Sequence, residues 1–338
     1  MRQAARRFGA AYRTLALLVL NTLALLLVVE LAAGLVLAGR ESSRTQQVQA
    51  FKDKMLRLEY YYGQDWSAQY WDEHMQAVDR WQYQPYTLWR TRPFDGDLIN
   101  VDAGGRRAGP ESDCTGDQTR VYTFGGSTMW GYGAPDWGTI PAYIQAGLEN
   151  ACVVNYGEMG FNSTQSLIQL MKLLQQGDVP DVAIFYDGSN DVTGAQRNSQ
   201  PGGHFSLEAV APAVESALNA DAPKPSALRS LVTNSAIYRL LAGSPQVEPN
   251  WALPPFDAAL VDGVTDVYLN NLRAAAALAD EYGFAFYAFI QPVLPVQGEP
   301  ANAEQQMFLW DMPGGLPELF QAVYPRWQAA GETTPHLH

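Results

Sequence analysis

The chain is short of the residue types that most cofactor chemistry requires. It has two cysteines and four histidines in 338 residues, and no Cys/His cluster spaced to hold a metal. No glycine-rich loop of phosphate-cradling form occurs. Basic residues are also scarce, with 22 Lys and Arg against 35 Asp and Glu and a net charge of −13. Arg2, Arg6, Arg7 and Arg13 sit at the extreme N-terminus, so the remainder is more acidic still. Such a body disfavours nucleic acid and anionic head groups as partners. No organic cofactor or metal is expected, and no protein partner is indicated.

What is abundant is apolar. Hydrophobic residues make up 47% of the chain and charged residues 17%, a globular composition with room for a membrane element. Residues 15–38, "LALLVLNTLALLLVVELAAGLVLA", form one long run. At about 1.5 Å per residue it reaches roughly 36 Å, enough for a hydrocarbon core of about 30 Å. Glu30 is its one acid, costly at depth unless it lies near an interface, is protonated or meets a partner. Four arginines precede the run, so the N-terminus is expected in the cytoplasm and everything past residue 40 across an inner or cytoplasmic membrane. A cleaved signal peptide ending near Val36-Leu37-Ala38 is the competing reading. In an oxidising compartment Cys114 and Cys152 are candidates for a disulfide, with two buried thiols as the alternative.

The expected organisation is a basic segment at 1–13, an anchor at 14–39, a stalk with an aromatic-rich juxtamembrane region at 40–118, and a main domain at 119–338. Residues 60–94 hold eleven aromatics, among them Trp66, Trp71, Trp81 and Trp89. A carbohydrate groove is conceivable there, since aromatic faces stack on sugars. Interfacial anchoring and packing on the main domain weigh more heavily. From residue 119 apolar strands alternate with helices: strands at 120–124, 152–156, 181–186 and 284–290, and helices at 141–149, 163–176 and 264–282. Between them, 192–263 reads as an insertion or lid with one helix near 227–242. This alternation predicts an α/β fold whose parallel sheet is covered on both faces, with chemistry gathered beyond the strands' C-terminal ends.

Three strand ends carry small and polar residues. They are Gly125-Gly126-Ser127-Thr128, then Asn155-Tyr156-Gly157-Glu158-Met159-Gly160, then Gly188-Ser189-Asn190-Asp191. Each alone reads as an ordinary turn. In this order and spacing they resemble the blocks of the SGNH (GDSL-type) hydrolase family over residues 119–338. The resemblance implies a flavodoxin-like three-layer α/β/α fold. It implies Ser127 as nucleophile, with the backbone N–H groups of Ser127 and Gly160 and the Asn190 amide as oxyanion donors. The expected activity is that of a serine esterase or O-acyl transferase on an acylated cell-envelope substrate such as polysaccharide. Asp191 reads as structural. Gly126 departs from the family's usual aspartate, and Thr128 from its leucine.

The family's Asp-x-x-His block is not found. Asp72-Glu73-His74 is one residue too short, His204 lies in the expected lid, and His336 and His338 close the chain. Four strands are countable where the family usually has five. The expectation is therefore a chain lacking its last few dozen residues, severely impaired as written. The alternative is a non-catalytic glycan-binding or scaffold member of an envelope complex.

Overall fold

In the computed structural model, residues 2–78, 80–109, 114, 116–219, 232–233, 235–242 and 253–331 are described. They fall into two compact units, one drawn from residues 1–55 and 212–248, the other from 56–211 and 249–338.

In the first unit, helix α1 (Arg2–Leu56) carries the apolar run without a break. It is long and apolar enough to cross a membrane. The polar stretch after the run continues the same helix. Glu30 meets a partner: its carboxylate accepts hydrogen bonds from the backbone N–H groups of Ala236 and Ile237. These open the short helix Ala236–Ala242. Of the helix expected near 227–242, only residues 232–233 and 235–242 are described.

The second unit holds the sheet. Strands β5 (Thr119–Gly125), β6 (Ala151–Asn155), β7 (Val182–Asp187) and β8 (Ala285–Ile290) run parallel in the order β6-β5-β7-β8. Ahead of them lie two small antiparallel pairs, β1 (Trp81–Gln84) with β2 (Leu88–Thr91), and β3 (Phe94–Asp95) with β4 (Asn100–Val101). Every residue of β6, and β5 from Val121 onward, is buried, as expected of strands covered on both sides. Strand β8 alternates exposed and buried residues and forms one edge of the sheet. Since β5 is followed by β6 on one side and β7 on the other, the order reverses between β5 and β7. Such a switch point opens a crevice beyond the strand ends.

One face of the sheet carries most of the core. Helix α5 (Ser163–Gln175) starts at Asn162 in a capping box with Gln165 and buries Leu170, Leu173 and Leu174. Met171 is exposed, and the buried stripe runs through Leu173. The helix Ala258–Tyr282 is capped by Asp257 and stopped by Gly283 in the left-handed region. The helix Leu316–Gly331 sets Leu319, Phe320, Val323 and Trp327 into the same core. Across the sheet, α4 (Ile140–Gly147) packs on β6 beside a smaller cluster of Val121, Ala151 and Val153. The result is a three-layer α/β fold with four parallel strands among the described residues.

Cys114 and Cys152 form a disulfide, with Cα atoms 5.4 Å apart. The aromatic-rich region packs inward through helix α2 (Ser67–Val78), where Tyr70 and Trp71 are fully buried. The Tyr61 hydroxyl donates to the Gly133 carbonyl at 2.9 Å, and the Gly133 N–H donates to the Tyr70 hydroxyl at 2.7 Å.

Candidate active site

The end of β5 is built so that two backbones can touch. Gly125 has φ +155°, and a Cβ there would stand 2.5 Å from the Tyr186 carbonyl oxygen. A Cβ on Gly126 would stand 2.4 Å from the amide nitrogen of Asn190 and 3.0 Å from the carbonyl oxygen of Phe161. Glycine is required at both positions. The room a side chain on residue 126 would need is taken by the Asn190 amide. Ser127 follows as the first residue of helix α3 (Ser127–Trp130) and is half-buried. Its neighbour Thr128 accepts a hydrogen bond from Gln291 at 2.8 Å.

The loop after β6 is held from two directions. From below, the Asn155 amide donates to the carbonyls of Met129 and Trp130, while its oxygen accepts from Gly157 N–H at 2.9 Å. From above, β2 supplies a buried clamp. Arg90 donates to the carbonyls of Tyr156 (3.0 Å) and Gly157 (3.3 Å). The Glu158 carboxylate accepts from Thr91 N–H (2.9 Å), the Thr91 hydroxyl (2.8 Å) and Met159 N–H (2.8 Å). Arg90 and Glu158 lie 4.0 Å apart with both side chains buried. Burial raises the Glu158 carboxyl above its usual range, and Arg90 draws it partly back. The loop then reaches Gly160 at φ +76°, where a Cβ would meet Trp89 at 3.4 Å and Phe205 at 3.8 Å. The Trp89 indole N–H donates to the Met159 carbonyl at 2.8 Å.

Asn190 enters from helix α6 (Ser189–Asn198), which follows β7. Its amide donates to the Phe161 carbonyl at 2.7 Å. The amide thus bridges the residue before Ser127 and the residue after Gly160, so the three strand ends expected to share one crevice do meet. One amide hydrogen is used on Phe161, and the second is left for another acceptor. Asp191 accepts from the N–H and hydroxyl of Ser163 and from Gly188 N–H, tying α6 to α5. Asp187 is fully buried beside it with neither carboxylate oxygen hydrogen-bonded, and Ser166 lies close without completing a hydrogen bond. Burial, reinforced by Asp191, pushes the Asp187 carboxyl well above its ordinary range.

The histidines are dispersed. His74 is enclosed by Tyr70, Trp71, Trp130 and Tyr132, and burial pushes its pKa down to about 3. His204 is half-buried and meets the Trp89 ring edge-on at 5.7 Å, which places it beside the Gly160 loop. Its backbone carbonyl accepts from Asn198, and the Gly203 carbonyl accepts from Asn162. His336 and His338 lie outside the described residues. Among the described residues no hydrogen bond joins the Ser127 hydroxyl to a histidine, and no group of three or more His, Cys, Asp and Glu is arranged to hold a metal.

Arg90, Thr91, Glu158 and Trp89 were not legible as site-building residues in the sequence. The one available signal was Glu158, an acid between a strand end and a glycine. No protein-family model matches the chain, and no curated protein matches it. Among solved structures it is similar to AlinE4, an SGNH-hydrolase family esterase, at 18% identity over 66% of this chain and 100% of that one, with a TM-score of 0.24. It is also similar to a member of the lipolytic protein G-D-S-L family from Veillonella parvula DSM 2008. There the identity is 14% over 64% of this chain and 99% of that one, with a TM-score of 0.24.

Proposed function

We propose that the chain is a membrane-anchored serine hydrolase of the SGNH type, an esterase or O-acyl transferase. Its substrate is an acylated cell-envelope molecule such as polysaccharide. The observation that carries this reading is the Asn190 amide, which touches both the Gly126 side of the nucleophile turn and the Phe161 carbonyl beyond Gly160. In this reading the Ser127 oxygen attacks the ester carbonyl and gives its proton to a solvent water as the C–O bond forms. The carbonyl oxygen takes the negative charge and accepts from Ser127 N–H, Gly160 N–H and the second Asn190 hydrogen. Collapse expels the alcohol, which takes up a proton, and leaves an acyl-serine. Water then completes hydrolysis, or an acceptor hydroxyl completes transfer.

Among the described residues no histidine is hydrogen-bonded to Ser127 to receive the proton, so slow turnover is expected. What remains is what binding and oxyanion donors supply. Helix α1 supports an anchor, and the four arginines ahead of its apolar run favour a cytoplasmic N-terminus with the hydrolase domain across the membrane. The test is turnover of a chromogenic acetate ester by the full chain in detergent. Slow release that Ser127→Ala abolishes is the expected result, and equal turnover by both proteins would end the assignment. The absent histidine contact favours a second reading, a non-catalytic glycan binder, which predicts no Ser127-dependent turnover at all.

A further inference from the structure

We propose that the β1–β2 hairpin is a sugar-stacking subsite continuous with the Gly160 loop, and that it takes the neutral glycan portion of the substrate. Trp89 is buried at the loop, fixed through its indole N–H to Met159 and lying 3.4 Å from where a Cβ on Gly160 would be. Trp81 stacks on it, with ring centroids 5.6 Å apart and planes within 20°. Unlike Trp89, Trp81 leaves 46% of its surface in solvent. In the strand register Tyr83 stands opposite Trp89, on the same face as Trp81, and is 74% exposed. Large rings therefore run outward from the candidate oxyanion loop into solvent.

Three features point to a sugar. Aromatic ring faces are electron-rich, and the C–H-bearing face of a pyranose offers them weakly positive hydrogens over a flat, amphipathic surface. An acyl chain, by contrast, is taken up in an enclosed apolar channel, whereas these rings lie open. The net charge of −13 disfavours a polyanionic ligand, hence a neutral glycan.

The platform is also held rigid. Its turn places two non-glycine residues, Tyr86 (φ 70°) and Leu88 (φ 76°), in the left-handed region. Gln165 grips the carbonyl of Thr87 at 2.8 Å, and Lys172 that of Pro85 at 3.3 Å. Strained backbone of this kind persists where surrounding contacts enforce it, and a preformed platform spares a ligand the ordering cost.

The inference uses the placement of Gly160 at the reacting centre but does not depend on turnover. Isothermal titration of the full chain, in a zwitterionic detergent with no sugar head group, tests it with cellohexaose, chitohexaose, xylohexaose and mannohexaose. At least one is expected to bind at submillimolar concentration, equally well to Ser127→Ala. Trp81→Ala is expected to weaken that binding at least tenfold. Tyr143→Ala, which removes an exposed aromatic from α4, is expected to leave it unchanged. Should Trp81→Ala fail to fold, Tyr83→Ala decides, with a severalfold loss expected. The subsite is overturned if no hexaose binds, or if the hairpin variants bind as the parent does. It is also overturned if Trp81→Ala loses only affinity for phosphatidylcholine vesicles, which would make the hairpin a membrane contact. Sugar binding without Ser127-dependent turnover would remove the hydrolase reading and leave the subsite standing.

Discussion

Asn190 and Gly126 share one volume: the amide nitrogen of the first occupies the place where a side chain on the second would begin. Two substitutions separate their roles. On the proposed reading Asn190→Ala removes one oxyanion donor, and it is then expected to lower kcat about 10²–10³-fold, the scale for such a donor. Gly126→Ala is expected to displace the amide and cost about 1–3 kcal/mol through overpacking. Gly126→Asp, which puts a larger side chain into the same space, should be worse still. Steady-state kinetics and urea unfolding measure both effects.

Arg90 and Glu158 form a buried pair that holds the Gly157–Gly160 loop. Truncating one partner strands the other's charge, at a cost of about 3–5 kcal/mol. Arg90→Ala and Glu158→Ala are each expected to destabilise on that scale. The double variant should lose less than the sum of the two, which a double-mutant cycle in urea would read.

His74 gives the fold an acid-sensitive term. Its pKa is lowered from 6.5 to about 3, so the unfolded chain binds a proton that the folded chain refuses. Stability therefore rises with pH across that window and falls as pH drops below 6.5, in all by on the order of 4–5 kcal/mol. His74→Phe, similar in shape and without a titrating group, is expected to flatten the profile of unfolding free energy between pH 6.5 and 3.

Asp187 acts in the opposite sense. Its carboxyl is raised well above 3.8, so the folded chain holds a proton that the unfolded chain has released. Stability is then fully present below pH 3.8 and is lost as pH climbs towards the folded value. Asp187→Asn keeps a neutral polar group in place. It is expected to leave the protein at least as stable at neutral pH, with that decline removed from the pH profile.

The Cys114–Cys152 bridge closes a separation of 38 residues. Loop-closure arithmetic assigns it about 4 kcal/mol at 25 °C. Reduction, or the Cys114→Ser/Cys152→Ser variant, should lower the unfolding free energy by about that much in a urea titration.

Periodicity made the main sheet and its helices readable in advance. The helices expected at 163–176 and 264–282 stand at Ser163–Gln175 and Ala258–Tyr282. Strands at Thr119–Gly125 and Val182–Asp187 are β-branched and aromatic runs that end on polar residues. The two-residue alternation of "WQYQ" at Trp81–Gln84 is also a strand signal, masked by an aromatic density that suggested an interface. No local pattern, however, announces that Thr91 will bind Glu158, 67 residues away. That contact depends on how the hairpin lies over the strand ends, which is a product of tertiary packing. The need for glycine at 126 likewise becomes visible only once Asn190 stands beside it.

Thr91 belongs to the same short strand as Trp89 and is bonded to the acid that shapes the turn leading to Gly160. The ring that would greet a ligand and the backbone that would receive a reacting oxygen are thus parts of one stiff bracket. On the proposed reading, natural variation in the hairpin cannot retune recognition without also shifting the backbone that leads to Gly160.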